Sequence, residues 1–163
     1  MSNLTNKNTS VPPSIELLFN NEKLDLVKTL CLMYAFSLKA KKRRKVSEIM
    51  FYYSLVNFDL IKLFETSEEN RNGLSPSPNL YFRFETKING ILLNMSHLQF
   101  IDLKGDLTKK LDEITVQLTS TGIEFFEKMD SEFFSNLKEE YANAFEKVAF
   151  SANNLKVMKG VHQ

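Results

Sequence analysis

The stretch ITVQLTSTGIEFFEKM, from Ile114 to Met129, decides the fold that the sequence predicts. Its first half alternates apolar and polar side chains, which is typical of a strand with one buried face. In its second half Thr119 and Ser120 offer N-cap oxygens, and Gly122 allows close backbone approach. The apolar residues that follow have helical spacing: Ile123, Phe126 and Met129. The stretch therefore predicts a strand that passes directly into an amphipathic helix.

Length and charge predict one globular domain with an extension. The chain has 163 residues, and its 21 Lys and Arg residues nearly balance 20 Asp and Glu residues, for a formal charge of +1. A balanced charge neither requires nor excludes a polyanionic partner, so any electrostatic argument must be local. The single cysteine, Cys31, stands among apolar residues and is expected to be a buried, inert thiol. No run has the length of a membrane span or the pattern of a signal peptide, so we expect a cytoplasmic protein.

The rest of the sequence predicts three helical regions and a hairpin. Residues 1–13 are rich in Asn, Thr and Ser and are expected to form a disordered arm. Apolar spacing predicts a first helix between Glu22 and Leu38, then one or two helices from Ser47 to Phe64, with Ser47 as the cap and a break at Asn57. Residues 66–79 collect Ser, Asn, Gly and Pro, which predicts an exposed loop.

Two structures compete for residues 80–98. The apolar positions step by three and four, which predicts a third helix. Asn89-Gly90 is a strong hairpin signal, and Phe82, Phe84 and Ile88 precede it at even positions. The alternation fails at Thr86 and after Gly90, so the helix is preferred. Beyond it, the apolar residues around Ile101 and the strand from Ile114 to Leu118 predict a hairpin.

A basic run, KAKKRRK, follows the first helix at residues 39–45. It could contact a DNA phosphate backbone or an acidic protein surface, or it could be a solvated loop. Its candidate binding residues are Lys41, Lys42, Arg43, Arg44 and Lys45.

The C-terminal segment, residues 131–163, carries an apolar stripe along a predicted helix. The stripe could fold back on its own domain or bind a partner, and its near-heptad spacing favours a partner. Its candidate partner-binding residues are Phe134, Leu137, Tyr141, Phe145 and Val148.

The sequence contains no recognisable catalytic or metal-binding motif. His97 and His162 have no Cys, His or carboxylate at ligand spacing, and there is no Gly-rich phosphate loop or nucleophile elbow. We therefore expect a protein that is not an enzyme and needs no cofactor or metal.

The strand that ends in Leu118 and Thr119 before Gly122 resembles the last wing strand and closing helix of a winged helix-turn-helix. The layout is mainly α with a small β-hairpin: a winged helix domain over residues 14–130 and an extended C-terminal helix over 131–163. It resembles the small middle component of bacterial three-component ABC-ATPase systems, the group of Lamassu-type antiphage and antiplasmid defence. This resemblance implies a non-catalytic subunit that bridges an SMC-like ATPase and an effector, often a nuclease. In such an assembly subunit the basic run could contact double-stranded DNA.

The alternative is a transcriptional regulator that binds DNA as a homodimer. It would insert the third helix into the major groove, which requires Arg, Lys, Asn or Gln on the exposed face of that helix. The available residues are Arg83, Lys87, Asn89 and Asn94, and Glu85 among them would face phosphates unfavourably.

Overall fold

Four helices supply most of the buried apolar side chains of the described residues. The structure is a computed structural model, and it describes residues 21–65, 78–106, 110 and 113–160. The expected N-terminal arm and most of the loop at 66–79 lie outside these residues. In chain order the elements are α1 Asn21–Lys39, β1 Arg44–Lys45, α2 Val46–Asn57, α3 Lys62–Glu65, α4 Pro78–His97, β2 Ile101–Lys104, β3 Thr115–Leu118, α5 Ser120–Lys128, α6 Glu132–Lys147 and α7 Ala152–Met158.

The three strands form one antiparallel sheet in the order β1-β3-β2. The predicted hairpin is present as β2 and β3, while β1 lies inside the basic run, where we expected a loop. Val46, directly after β1, donates its backbone N–H to the Ile114 carbonyl at 2.9 Å, which extends this pairing into the start of α2. The expectation of a mainly α fold with a small β part is confirmed.

Helix α4 settles the choice between helix and hairpin for residues 80–98. It is continuous from Pro78 to His97, so the helix is confirmed and the hairpin is wrong. Its buried side follows the predicted spacing through Phe84, Ile88 and Leu92. Burying this stripe outweighs the cost of Gly90 in a helix interior, about 1 kcal/mol relative to Ala.

The start of α5 follows the sequence closely. Thr119 is the N-cap, and its hydroxyl accepts a hydrogen bond from Gly122 N at 3.1 Å. A Cβ on Gly122 would lie only 2.5 Å from the Phe100 carbonyl oxygen, so this position requires the close approach that glycine permits.

The predicted cap of the second helix is wrong. Lys45 occupies the N-cap position of α2 without a side-chain cap hydrogen bond. Ser47 lies inside the helix, and its buried hydroxyl has no hydrogen-bond partner among the described residues. The strand pairing of β1 fixes where the helix can begin, and it overrides the capping preference of Ser47.

The C-terminal segment belongs to the same core as the rest of the domain. Helix α6 packs on α1 and α2. The Phe145 ring stacks on Phe36 at 4.3 Å, and the Tyr52 hydroxyl donates to the Val148 carbonyl at 2.7 Å. The single extended helix that we expected is wrong, because α6 ends at Lys147 and Ser151 caps α7 with its hydroxyl. Among the described helices, none is both long and apolar enough to cross a bilayer.

Candidate nucleic-acid interface

Strand β1 divides the basic run between two environments. Lys41 and Lys42 are exposed in the connection that precedes the strand. Within the strand, Arg44 is buried and Lys45 is exposed, because successive strand residues point to opposite faces of a sheet. The five candidate residues therefore do not form one continuous basic surface.

The Arg43 side chain makes an ion pair and hydrogen bonds across the outer face of the sheet. Its Nη1 donates to Asp102 Oδ2 at 2.7 Å, and its Nε donates to Thr115 Oγ1 at 3.0 Å. Its Nη2 also donates to the carbonyl oxygens of Asp102 and Thr115, at 3.0 and 3.1 Å. The guanidinium thus connects the β1 side of the sheet to both strands of the hairpin.

Arg44 is held on the inner side. Its guanidinium carbon lies 4.3 Å from the centre of the Phe36 ring, and its Nη1 contacts Glu48 Oε2 at 3.3 Å. Its Nε is buried and has no hydrogen-bond partner in the described part of the chain. The side chain is only 10% exposed, so it packs the junction of α1, β1 and α2 and is not presented to a duplex.

The fold adds Lys104, which is not among the five candidate residues, to the exposed lysines near the basic run. Thr115 is the Cα partner of Lys45 in β1 and of Lys104 in β2. Directly paired residues share a face, so Lys45, Thr115 and Lys104 form a row across the outer face of the sheet. The predicted hairpin includes Lys104, but only the unpredicted strand β1 brings this lysine into line with Lys45.

We use the name basic sheet surface for four exposed lysines: Lys45 and Lys104 on the outer face of the sheet, and Lys41 and Lys42 in the connection before β1. A flexible ammonium group binds phosphate as a point charge, without the planar fork that reads a guanine edge. This surface can therefore contact a phosphate backbone, with affinity that falls steeply with salt.

The exposed side of α4 mixes apolar and polar side chains. Phe82 is 42% exposed and Leu93 is 46% exposed, and they lie on the same side of the helix as Arg83. Lys87 contacts Asp25 Oδ2 at 3.6 Å, so its charge is partly used within the domain. Asn94 is exposed, whereas Asn89 is half-buried.

The candidate partner-binding stripe is largely internal. Leu137, Tyr141, Phe145 and Val148 are all buried, and the Tyr141 hydroxyl donates to the Lys28 carbonyl at 3.2 Å. Helix α6 uses this stripe to pack on α1 and α2, and binding of a partner along it stays a prediction. Phe134, the fifth residue of the set, is half-buried, while its neighbour Phe133 is 54% exposed.

Two other large apolar side chains, Leu98 and Phe125, are exposed. Leu98 is 52% exposed in the turn after α4. Phe125 is also exposed, and its ring lies 4.7 Å from that of Phe100.

Burial suppresses ionisation at several interior groups. It raises the pKa of the Cys31 thiol to about 12 and that of the Tyr52 hydroxyl to about 12. Burial raises the pKa of Tyr53 as well, and the Asp25 carboxylate, which accepts a hydrogen bond from this hydroxyl at 3.0 Å, adds to the shift. The expected burial of Cys31 is confirmed. No group of three or more His, Cys, Asp or Glu side chains in the described ranges is arranged to hold a metal ion.

No protein-family model, curated protein or solved structure matches this chain. A functional proposal must therefore rest on the surfaces described above.

Proposed function

We propose that the chain is a winged helix-turn-helix protein in which α1, β1, α2 and α4 precede the wing formed by β2 and β3. The sheet order β1-β3-β2 supports this proposal, because the last wing strand pairs with the short strand between the first two helices. In this arrangement α4 occupies the position of the recognition helix, and the basic sheet surface lies on the wing side.

Its role, in this proposal, is that of a non-catalytic assembly subunit in an SMC-like ATPase complex of Lamassu-type antiphage and antiplasmid defence. It bridges the ATPase and an effector such as a nuclease. The exposed apolar side chains supply protein contacts, and the basic sheet surface adds sequence-independent contacts to double-stranded DNA.

The exposed side of α4 favours this role over that of a regulator. A helix that reads a major groove presents Arg, Lys, Asn or Gln to base edges. Here two of the large side chains on that side are Phe82 and Leu93. Such side chains gain stability when they pack on a protein, at roughly 25 cal/mol per Å² of apolar surface removed from water.

Affinity purification from the native host tests the role. We expect the tagged chain to retain an SMC-like ATPase and an effector in fixed proportion. The double substitution Phe82→Ser and Leu93→Ser should release them, while Lys23→Ser, an exposed change on α1, should not. Isolation of the chain only as a homodimer, with no ATPase at any salt concentration, would contradict the proposal.

A further inference from the structure

A pocket of about 160 Å³ opens between α1, α2 and α4. Its apolar wall is formed by Phe58 and Leu80, which are half-buried, and by the buried rings of Tyr53 and Phe84. These last two rings are stacked, with centres 3.9 Å apart and planes within 7° of parallel. A space of roughly 150 Å³ with apolar walls is large enough for a benzene ring.

Three charged side chains complete the lining. Asp25 lies at the α1 side, while Arg83 and Lys87 are one turn apart on α4. The Asp25 carboxylate is occupied on both oxygens: Oδ1 accepts from the Tyr53 hydroxyl at 3.0 Å, and Oδ2 contacts Lys87 Nζ at 3.6 Å. Arg83 makes no ion pair with any residue in the described part of the chain. The lining therefore carries one cation more than it has carboxylates.

We propose that this pocket binds a small aromatic carboxylate. The ring lies against Phe58 and Leu80, and the carboxylate bonds to the Arg83 guanidinium, whose planar fork suits two parallel hydrogen bonds. The single negative charge of the ligand matches the one unpaired cation of the lining. A phosphate monoester, with a charge of about −1.5 to −2 at neutral pH, would exceed that match.

This site is separate from the basic sheet surface and does not depend on the proposed role in an assembly. None of Lys41, Lys42, Lys45 and Lys104 lines the pocket. A ligand held here would contact α1, α2 and α4 together, and it would stabilise their packing because it binds the folded chain only.

Titration of the full chain with benzoate, followed by amide resonances in NMR, tests the proposal. We expect saturable shifts at Phe58, Leu80 and Arg83, with a Kd on the order of 1 mM, as suits a ligand of this size. Arg83→Gln should weaken binding by about tenfold, because it removes a charge-assisted bidentate contact. Arg83 is exposed, so this substitution leaves the fold intact. Lys41→Gln removes a distant cation and should leave the Kd unchanged.

Two further ligands separate the alternatives. Benzylamine, which has the ring but the opposite charge, should not bind, and phenyl phosphate should bind more weakly than benzoate. The proposal is overturned if benzoate shifts rise linearly without saturation, or if Arg83→Gln leaves the affinity unchanged. It is also overturned if duplex DNA shifts these amides while benzoate does not.

Discussion

Arg43 is bound to Asp102 across the outer face of the sheet, with 2.7 Å between Nη1 and Oδ2. Because Arg43 precedes β1 and Asp102 lies in β2, this contact spans the central strand β3. The guanidinium therefore stabilises the sheet, and within the basic run Lys41, Lys42 and Lys45 are more available to a nucleic acid than Arg43.

Replacing Arg43 should reduce stability. We expect Arg43→Ser to lower the free energy of unfolding by about 1–2 kcal/mol, because it removes hydrogen bonds to Thr115 and Asp102. The ion pair itself contributes little, since the Asp102 side chain is 61% exposed. Urea denaturation measures the change, and Lys42→Ser, at an exposed neighbour, should stay within about 0.5 kcal/mol of wild type. Equal stability of the two variants would show that the Arg43 contacts do not stabilise the sheet.

Charge introduced into the α6 stripe should unfold the domain and not merely dissociate it from a partner. Leu137 is 5% exposed, so Leu137→Asp places a carboxylate in the core and should cost more than about 4 kcal/mol. Phe133→Asp, on the exposed side of the same helix, should leave the circular dichroism spectrum and the melting temperature nearly unchanged. A folded Leu137→Asp variant that differs only in its association state would restore the stripe as an interface.

Substitution by alanine should change the stability of the protein in opposite directions at two glycines. Gly122→Ala sets a methyl group 2.5 Å from the Phe100 carbonyl oxygen and should destabilise the protein by about 1–3 kcal/mol. Apart from its chain neighbours and the backbone of its own helix, Gly90 has no atom within 4 Å of the position of an added Cβ. Gly90→Ala should therefore stabilise the protein by roughly 0.5–1 kcal/mol through helix propensity and a less flexible unfolded chain. Thermal melts of both variants check this, and reduced stability in Gly90→Ala would count against α4 as a continuous helix.

Stability should fall at alkaline pH because of Cys31. Its folded pKa of about 12 lies above the ordinary value of 9.0. Between these values the unfolded chain releases the thiol proton and the folded chain keeps it, so the unfolded state binds fewer protons. Each such group lowers the free energy of unfolding by up to about 1.4 kcal/mol per pH unit. Urea titrations from about pH 8 to 11 should show a shallower decline in Cys31→Ala than in wild type, and equal slopes would refute the assignment.

Local patterns were sufficient to predict the elements whose apolar residues repeat over several turns. The spacing in α1 and α4 and the alternation before Thr119 reflect which face must be buried, and burial decides most secondary structure. The cap at Thr119 and the close approach at Gly122 were likewise readable, because each depends on residues near in sequence.

The features that the sequence did not reveal depend on pairing between distant residues. Strand β1 is only Arg44–Lys45, too short for a periodic signal, and its basic composition suggests solvent exposure. Only its register with β3 shows that Arg44 turns inward and that Lys45 aligns with Lys104. The spacing of the stripe from Leu137 favours a partner but is also compatible with internal packing, since an amphipathic helix does not specify what covers it.

Binding of the isolated chain to random duplex DNA tests the central claim that this is an assembly subunit with a sequence-indifferent basic surface. We predict weak binding, no enriched sequence after repeated selection, and a steep decrease in affinity with salt. Replacing Lys41, Lys42 and Lys45 by Ser together should lower the salt slope by about 0.9 for each phosphate that the variant no longer neutralises, without changing stability. Tight binding to one short palindrome that survives these three substitutions would contradict the claim and identify a homodimeric regulator.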